Sequence, residues 1–159
     1  MNRTKRSIVA LLALVAVAVP TCVLAQKEAE IASARADLAA DRQAVVAANL
    51  PMTETESAAF WPLYREYRAE MALVGDQLQK LVGSYAEAYN ANAVTDEQGM
   101  AMTKEYLKLR KSGLDIRQKY LSKFAKVIPG KSVMRFYQIE NKLDVVVEAT
   151  LAGSIPLAE

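Results

Sequence analysis

The most regular signal in the chain is an apolar position recurring every three or four residues from Phe60 to Tyr89: Phe60, Tyr64, Tyr67, Met71, Val74, Leu78, Leu81, Tyr85 and Tyr89. That spacing stacks side chains on one face of a helix, and it predicts a helix over about Glu54–Tyr89. Its start is marked by Thr53 and Glu56, a capping box in which each side chain satisfies the other's backbone N–H. Pro62 lies inside this stretch without an N–H to donate, so a kink or a new segment is expected there. A second capping box, Thr95 to Gln98, opens a helix over about Asp96–Val127. One face carries Met102, Tyr106, Leu109, Gly113, Ile116, Tyr120 and Phe124, and Leu107, Leu114, Leu121 and Ile128 widen it. Pro129 and Gly130 end it. A further helix over about Lys131–Leu151 is expected to bury Phe136, Ile139, Leu143, Val146 and Val147, with Gly153 and Pro156 as its stop. Upstream, residues 27–48 are rich in helix-forming residues but carry only a thin stripe of Ile31, Leu38 and Val45. No stretch alternates with period two for long. The reading is therefore all-α: a long helical hairpin with additional N- and C-terminal helices.

The first 25 residues have a different character. Arg3, Lys5 and Arg6 precede an uninterrupted apolar run from Ile8 to Val19, Pro20 breaks it, and Val23-Leu24-Ala25 provides a cleavage site before Gln26. This is the three-part pattern of a secretory signal. Twelve apolar residues fall short of the ~20 that a bilayer-spanning helix needs. Thr21 stands where a lipid-attachment motif on Cys22 would want a smaller residue. Export to the periplasm with cleavage after Ala25 is the expectation, leaving Gln26–Glu159 as a single helical domain.

Composition narrows the chemistry. The chain has no histidine, and its only cysteine, Cys22, falls within the leader. Disulfides, thiol or imidazole nucleophiles, and most transition-metal sites are thereby excluded from the exported part. There is no glycine-rich phosphate loop and no nucleophile paired with a base, so neither an enzyme nor a cofactor is expected. Losing the leader takes the net charge from +2 to −1, but the distribution is uneven. Residues 26–97 hold 6 basic and 12 acidic side chains, and residues 98–131 hold 9 basic and 2 acidic. Such asymmetry points to pairing between segments or to a basic functional face.

That basic excess is ordered. At about 100° per residue, Lys104, Lys108, Lys111, Lys119, Lys123 and Lys126 fall within about 120° of one another, opposite the apolar face. Lys104, Lys108, Lys111, Lys119 and Lys123 are candidates for binding acidic or unfolded partners, or anionic lipid, against the plainer reading of a solvated helix face. Trp61 falls off the main stripe toward Arg65 and Arg68. These three are candidates for an exposed anchor, or for cover over the first helix. Arg110 and Arg117 sit on the apolar side, where arginine rarely stands unpaired. Glu66 and Glu70 of the preceding helix are their expected ion-pair partners. The tyrosines are read as packing, each with its hydroxyl at an edge.

Val94-Thr95-Asp96-Glu97-Gln98 resembles the L-T-x-x-Q motif of the Spy/CpxP-like periplasmic stress proteins, and Leu50-Pro51-Met52-Thr53-Glu54-Thr55-Glu56 is similar to a degenerate copy of it. The stretch from Tyr120 to Pro129, followed by Phe136 and Gln138, resembles that family's late helix, break and final helix. The resemblance covers about residues 50–145. It implies a hairpin that dimerises into a curved cradle, and a protein that holds unfolded envelope proteins without ATP or inhibits a membrane sensor kinase. The histidines through which some members bind metal are absent. The Phe60-Trp61-Pro62 segment and the apolar fourth helix depart from the pattern. The expected function is a periplasmic, chaperone-like homodimer, with a regulator docking on one membrane sensor, or a purely structural envelope protein, as the alternatives. Nucleic acid is not an expected partner, and membrane contact is expected only peripherally.

Overall fold

The computed structural model describes residues 40–158. The leader, its cleavage site, Ile31 and Leu38 lie outside the described residues. Within them the chain is all-α. A helical segment α1 ends at residue 49 and is described from residue 40; α2 spans Glu54–Asn90, α3 spans Asp96–Phe124 and α4 spans Gly130–Ser154. No helix among the described residues is long and apolar enough to cross a membrane.

Both capping boxes form. Thr53 Oγ1 accepts from the Glu56 N–H while Glu56 Oε2 accepts from the Thr53 N–H, at 3.2 and 2.8 Å. Thr95 and Gln98 repeat the exchange at 3.2 and 3.1 Å. The starts of α2 and α3 are thus fixed by local chemistry. The ends are less sharp. α3 stops at Phe124 rather than Val127, and single turns carried by Ala125, Val127 and Ile128 lead to Pro129. α4 runs through Gly153, which does not stop it, and ends at Ser154 before Pro156. α2 is one unbroken helix through Pro62, with no new segment. The Pro62 ring is exposed, so the cost is one backbone bond, and burial of Phe60, Tyr64 and Tyr67 on the other face outweighs it.

α2 and α3 form the hairpin, turning through Asn92, whose φ of 49° is a left-handed conformation that asparagine tolerates. The core sits where α2 begins, α3 ends and α4 begins. Phe60, Tyr64, Tyr67, Tyr120, Phe124 and Phe136 pack ring on ring, with Phe124 and Phe136 at 4.7 Å and Phe60 5.3 Å from each of them. Val46 and Leu50 close this cluster from α1, and Ile128 and Val133 from the α3–α4 junction.

Several inner positions differ from the pattern-based expectation. In α1 the buried face is Arg42, Val46 and Leu50, not Val45, which is exposed. In α4 the buried residues are Val133, Phe136 and Glu140, whereas Val146 is exposed. In α3, Leu107, Leu114 and Leu121 do not widen the core face; they point outward, and Tyr106 is also largely exposed. In α1 and α4 charged residues, Arg42 and Glu140, occupy inward positions because they find partners there. In α3 the core keeps to Leu109, Gly113, Tyr120 and Phe124, and the flanking leucines fall on the other side of the helix.

Candidate functional site

The charged residues drawn inward form one connected network. Arg42 of α1 donates to Glu140 Oε2 at 3.0 Å and to Asp144 Oδ1 at 2.8 Å. Arg68 of α2 donates to the same Glu140 oxygen at 3.0 Å, and Arg117 of α3 to Asp144 Oδ2 at 2.7 Å. Two α4 carboxylates thus gather an arginine from each of the other three helices. Glu140 is almost wholly buried and Arg42 nearly so. Burial pulls the Arg42 guanidinium down, but Glu140 and Asp144 outweigh it and raise it, so Arg42 stays charged. Beside Glu140 lie Tyr64 and Tyr67, whose hydroxyls, like Glu140 Oε1, have no hydrogen-bond partner among the described residues. The expected hydroxyl at an edge is therefore not found for these two. It is found for Tyr120, which donates to Glu70 at 2.9 Å, and for Tyr85, which donates to the Pro156 carbonyl at 2.9 Å.

The predicted ion pairs exist with different partners. Arg110 pairs with Glu148 and Arg117 with Asp144, both on α4, rather than with Glu66 and Glu70. Glu70 instead takes Lys119 at 2.6 Å, and Glu66 takes Lys123 at 3.8 Å. Hydrogen bonds from Lys119 and Tyr120 hold the Glu70 carboxyl below its ordinary range. Lys119 and Lys123 also approach the Tyr120 ring, at 5.3 and 4.4 Å. These two lysines stitch α3 to α2. Lys108 pairs within its own helix with Glu105, and Lys111 with Asp115. The lysine face is thus divided: its C-terminal half joins the hairpin, while Lys104, Lys108 and Lys111 face solvent.

Trp61 is half-buried and packs edge-on to Phe60 and Tyr64 at 5.2 and 5.4 Å, so it belongs to the core margin rather than to an exposed anchor. Arg68 is committed to Glu140, and Arg65 is exposed. The three do not form one surface.

A separate feature lies toward the hairpin turn. Leu78, Leu81, Val82 and Tyr85 of α2, Met102, Thr103 and Tyr106 of α3, and Leu151, Ala152 and Ile155 at the end of α4 line an open groove of about 430 Å³, with Arg110 and Glu148 at its side. Of its walls, the pattern placed Leu78, Leu81, Tyr85, Met102 and Tyr106 on the inner stripes. The three helices do not close over the groove: Leu78, Leu81, Val82, Tyr85, Met102 and Ile155 are half-buried, and Tyr106 and Leu151 are exposed. Leu151 and Ile155 were not singled out from the sequence, although their place four residues apart at the end of α4 carries the signal. Neither Glu140 nor Asp144 lines the groove. What the groove offers is apolar contact and one charged pair at its side.

The tyrosines give the site region a pH dependence. Burial, with the negative charge of Glu140, pushes the Tyr64 phenol up to about 12. Burial and the hydrogen bond to Glu70 do the same for Tyr120, to about 12. Burial raises Tyr137 to about 12 against the opposing charge of Arg117. A phenol ionises near pH 10 in the unfolded chain. A folded value above that contributes stability that is complete below about pH 10 and is lost as pH rises toward 12. Denaturation midpoints are therefore expected to fall steeply across this window, with tyrosinate absorbance rising as helix content drops. Ionisation of all the tyrosines near pH 10 with the helices intact would contradict these placements.

No family model, curated protein or solved structure matches the chain.

Proposed function

We propose that the protein is a helical binding protein of the periplasm, which holds unfolded or partner proteins without ATP and works as a homodimer. The observation that carries this reading is the apolar groove between α2, α3 and the end of α4. An open groove walled by apolar side chains with few polar groups is the form that binding sites commonly take. An extended or helical apolar segment of a client would bury it, and the Arg110–Glu148 pair at its side would orient polar groups of that segment. The resemblance to Spy/CpxP-like proteins in the two capping-box motifs and the order of helices adds to this, as does the exported leader read at residues 1–25. Dimerisation into a cradle would extend the apolar surface beyond one groove.

The test is an aggregation assay with a chemically denatured client diluted into buffer without nucleotide. The expected result is suppression of light scattering at near-stoichiometric ratio. Leu78→Glu, which sets a charge in the groove wall, should abolish most of it while circular dichroism stays unchanged. Scattering that grows at the same rate with and without the protein would overturn the reading.

A further inference from the structure

α4 ends at Ser154, and the next residue leaves the helical backbone: Ile155 has φ −95° and ψ 116°, an extended conformation. The chain does not run straight out into solvent from there. Ile155 is half-buried and lines the same groove as Leu78, Val82 and Met102. Pro156 then presents its carbonyl to α2, where the Tyr85 hydroxyl donates to it at 2.9 Å. Beyond that carbonyl Leu157 is 88 % exposed. Part of the groove is thus lined by an extended apolar segment of the protein's own chain, seated by one side chain and one main-chain acceptor.

We infer that residues 155–157 are a built-in competitor for the groove, and that a client takes their place as an extended apolar segment, with a side chain where Ile155 sits and a carbonyl on Tyr85. This rests on the groove being the client site, and it states what that site selects. The groove walls are mainly helices, whose backbone groups are spent within the helices themselves, so they offer no edge for strand pairing. A side-chain donor is what such a wall can present to a peptide backbone, and Tyr85 already serves one in this way. An extended segment supplies free carbonyls, whereas a helix has used all but its last four. Proline at position 156 fits the same logic. It has no N–H, so it brings no donor that an apolar wall would leave unpaired. The seat is also easily given up. A neutral hydrogen bond contributes little net, because water replaces it on release, and Leu157 is already in solvent. Release of the segment exposes Tyr85 and the wall beside Ile155 together, so a client gains both contacts in one exchange.

The experiment is fluorescence anisotropy with the peptide Ser-Ile-Pro-Leu-Ala, labelled with fluorescein at its amino end and amidated at the other. A groove occupied by its own segment for about four-fifths of the time has its apparent affinity lowered about fivefold. Ending the chain after Ser154 should therefore tighten peptide binding by about that factor. Ile155→Ser should act in the same direction at full length. In the shortened chain Tyr85→Phe should weaken binding several-fold with circular dichroism unchanged, because it removes one hydrogen bond and almost no volume. The inference is overturned by a shortened chain that ignores the peptide, by shortening and Ile155→Ser that both leave binding unchanged or weaken it, or by a Tyr85→Phe that binds like its parent. Loss of helix content in both the shortened chain and Ile155→Ser would also overturn it, making the segment part of the fold. The groove itself is read by Leu78→Glu in the aggregation assay. Lost suppression there, with no effect of shortening on peptide binding, sinks this inference alone. Full suppression by Leu78→Glu sinks the groove reading, and this one with it.

Discussion

Glu140→Ala is expected to destabilise the protein by about 3–5 kcal/mol, because it strips Arg68 of its carboxylate and leaves the buried Arg42 with Asp144 alone. Arg42 is deep enough that water cannot replace the lost acceptor. The informative comparison is the triple variant Arg42→Met/Glu140→Leu/Arg68→Met. Replacing a whole buried ionic triad with apolar side chains of similar size is often neutral or stabilising. The triple variant should therefore be more stable than Glu140→Ala alone, although it changes three residues instead of one. Arg117 and Asp144 keep each other as partners in both variants. Urea denaturation followed by circular dichroism measures the order. A single variant as stable as wild type would mean that Glu140 does not neutralise these arginines. A triple variant less stable than the single one would mean that the network contributes net stability beyond charge balance.

The second large effect is expected at Phe124. Its ring is fully buried and lies 4.7 Å from Phe136, 5.3 Å from Phe60 and 5.9 Å from Tyr67, so it touches α2 and α4 from α3. Phe124→Ala removes the packing and leaves a cavity that rigid rings cannot collapse into, at a cost of about 3–5 kcal/mol. Leu107→Ala in the same helix is the control, with a change of about 0.5 kcal/mol or less expected at so exposed a position. Equal denaturation midpoints for the two variants would refute the placement of the core.

The two sites show what the sequence made legible and what it did not. Phe124 lies on the stripe that the three-and-four spacing picks out, together with Phe60, Tyr64, Tyr67, Tyr120 and Phe136, and all are buried. Helix starts were legible for an equally local reason, since each capping box is complete within four residues. The network around Glu140 was not. Its pairs join residues 98, 102, 72 and 27 positions apart, and apolar periodicity passes over any charged residue. A trace existed: Arg42, Val46 and Leu50 are spaced by fours, and Glu140 follows Phe136 by four. Reading it requires knowing that the opposite charge waits on another helix. The arginines at 110 and 117 were legible as residues in need of partners, but the partners lie on α4 and not on α2. Likewise Leu107, Leu114 and Leu121 follow a helical spacing equally compatible with an inner or an outer face. Only the direction fixed by Leu109, Tyr120 and Phe124 turns them outward.

The uneven placement of the core has a dynamic consequence. In α2 no residue after Tyr67 is fully buried, and in α3 none before Leu109. Local opening is governed by how much apolar contact a segment must give up. Amide hydrogens around Phe60, Tyr120 and Phe136 should then exchange only through global unfolding. Those from Leu78 to Tyr106, across the turn, should exchange through a smaller opening that leaves the aromatic end intact. The turn ties α2 to α3 just beyond the groove, so the wall expected to yield around segments of different bulk is the end of α4, while the aromatic end stays folded.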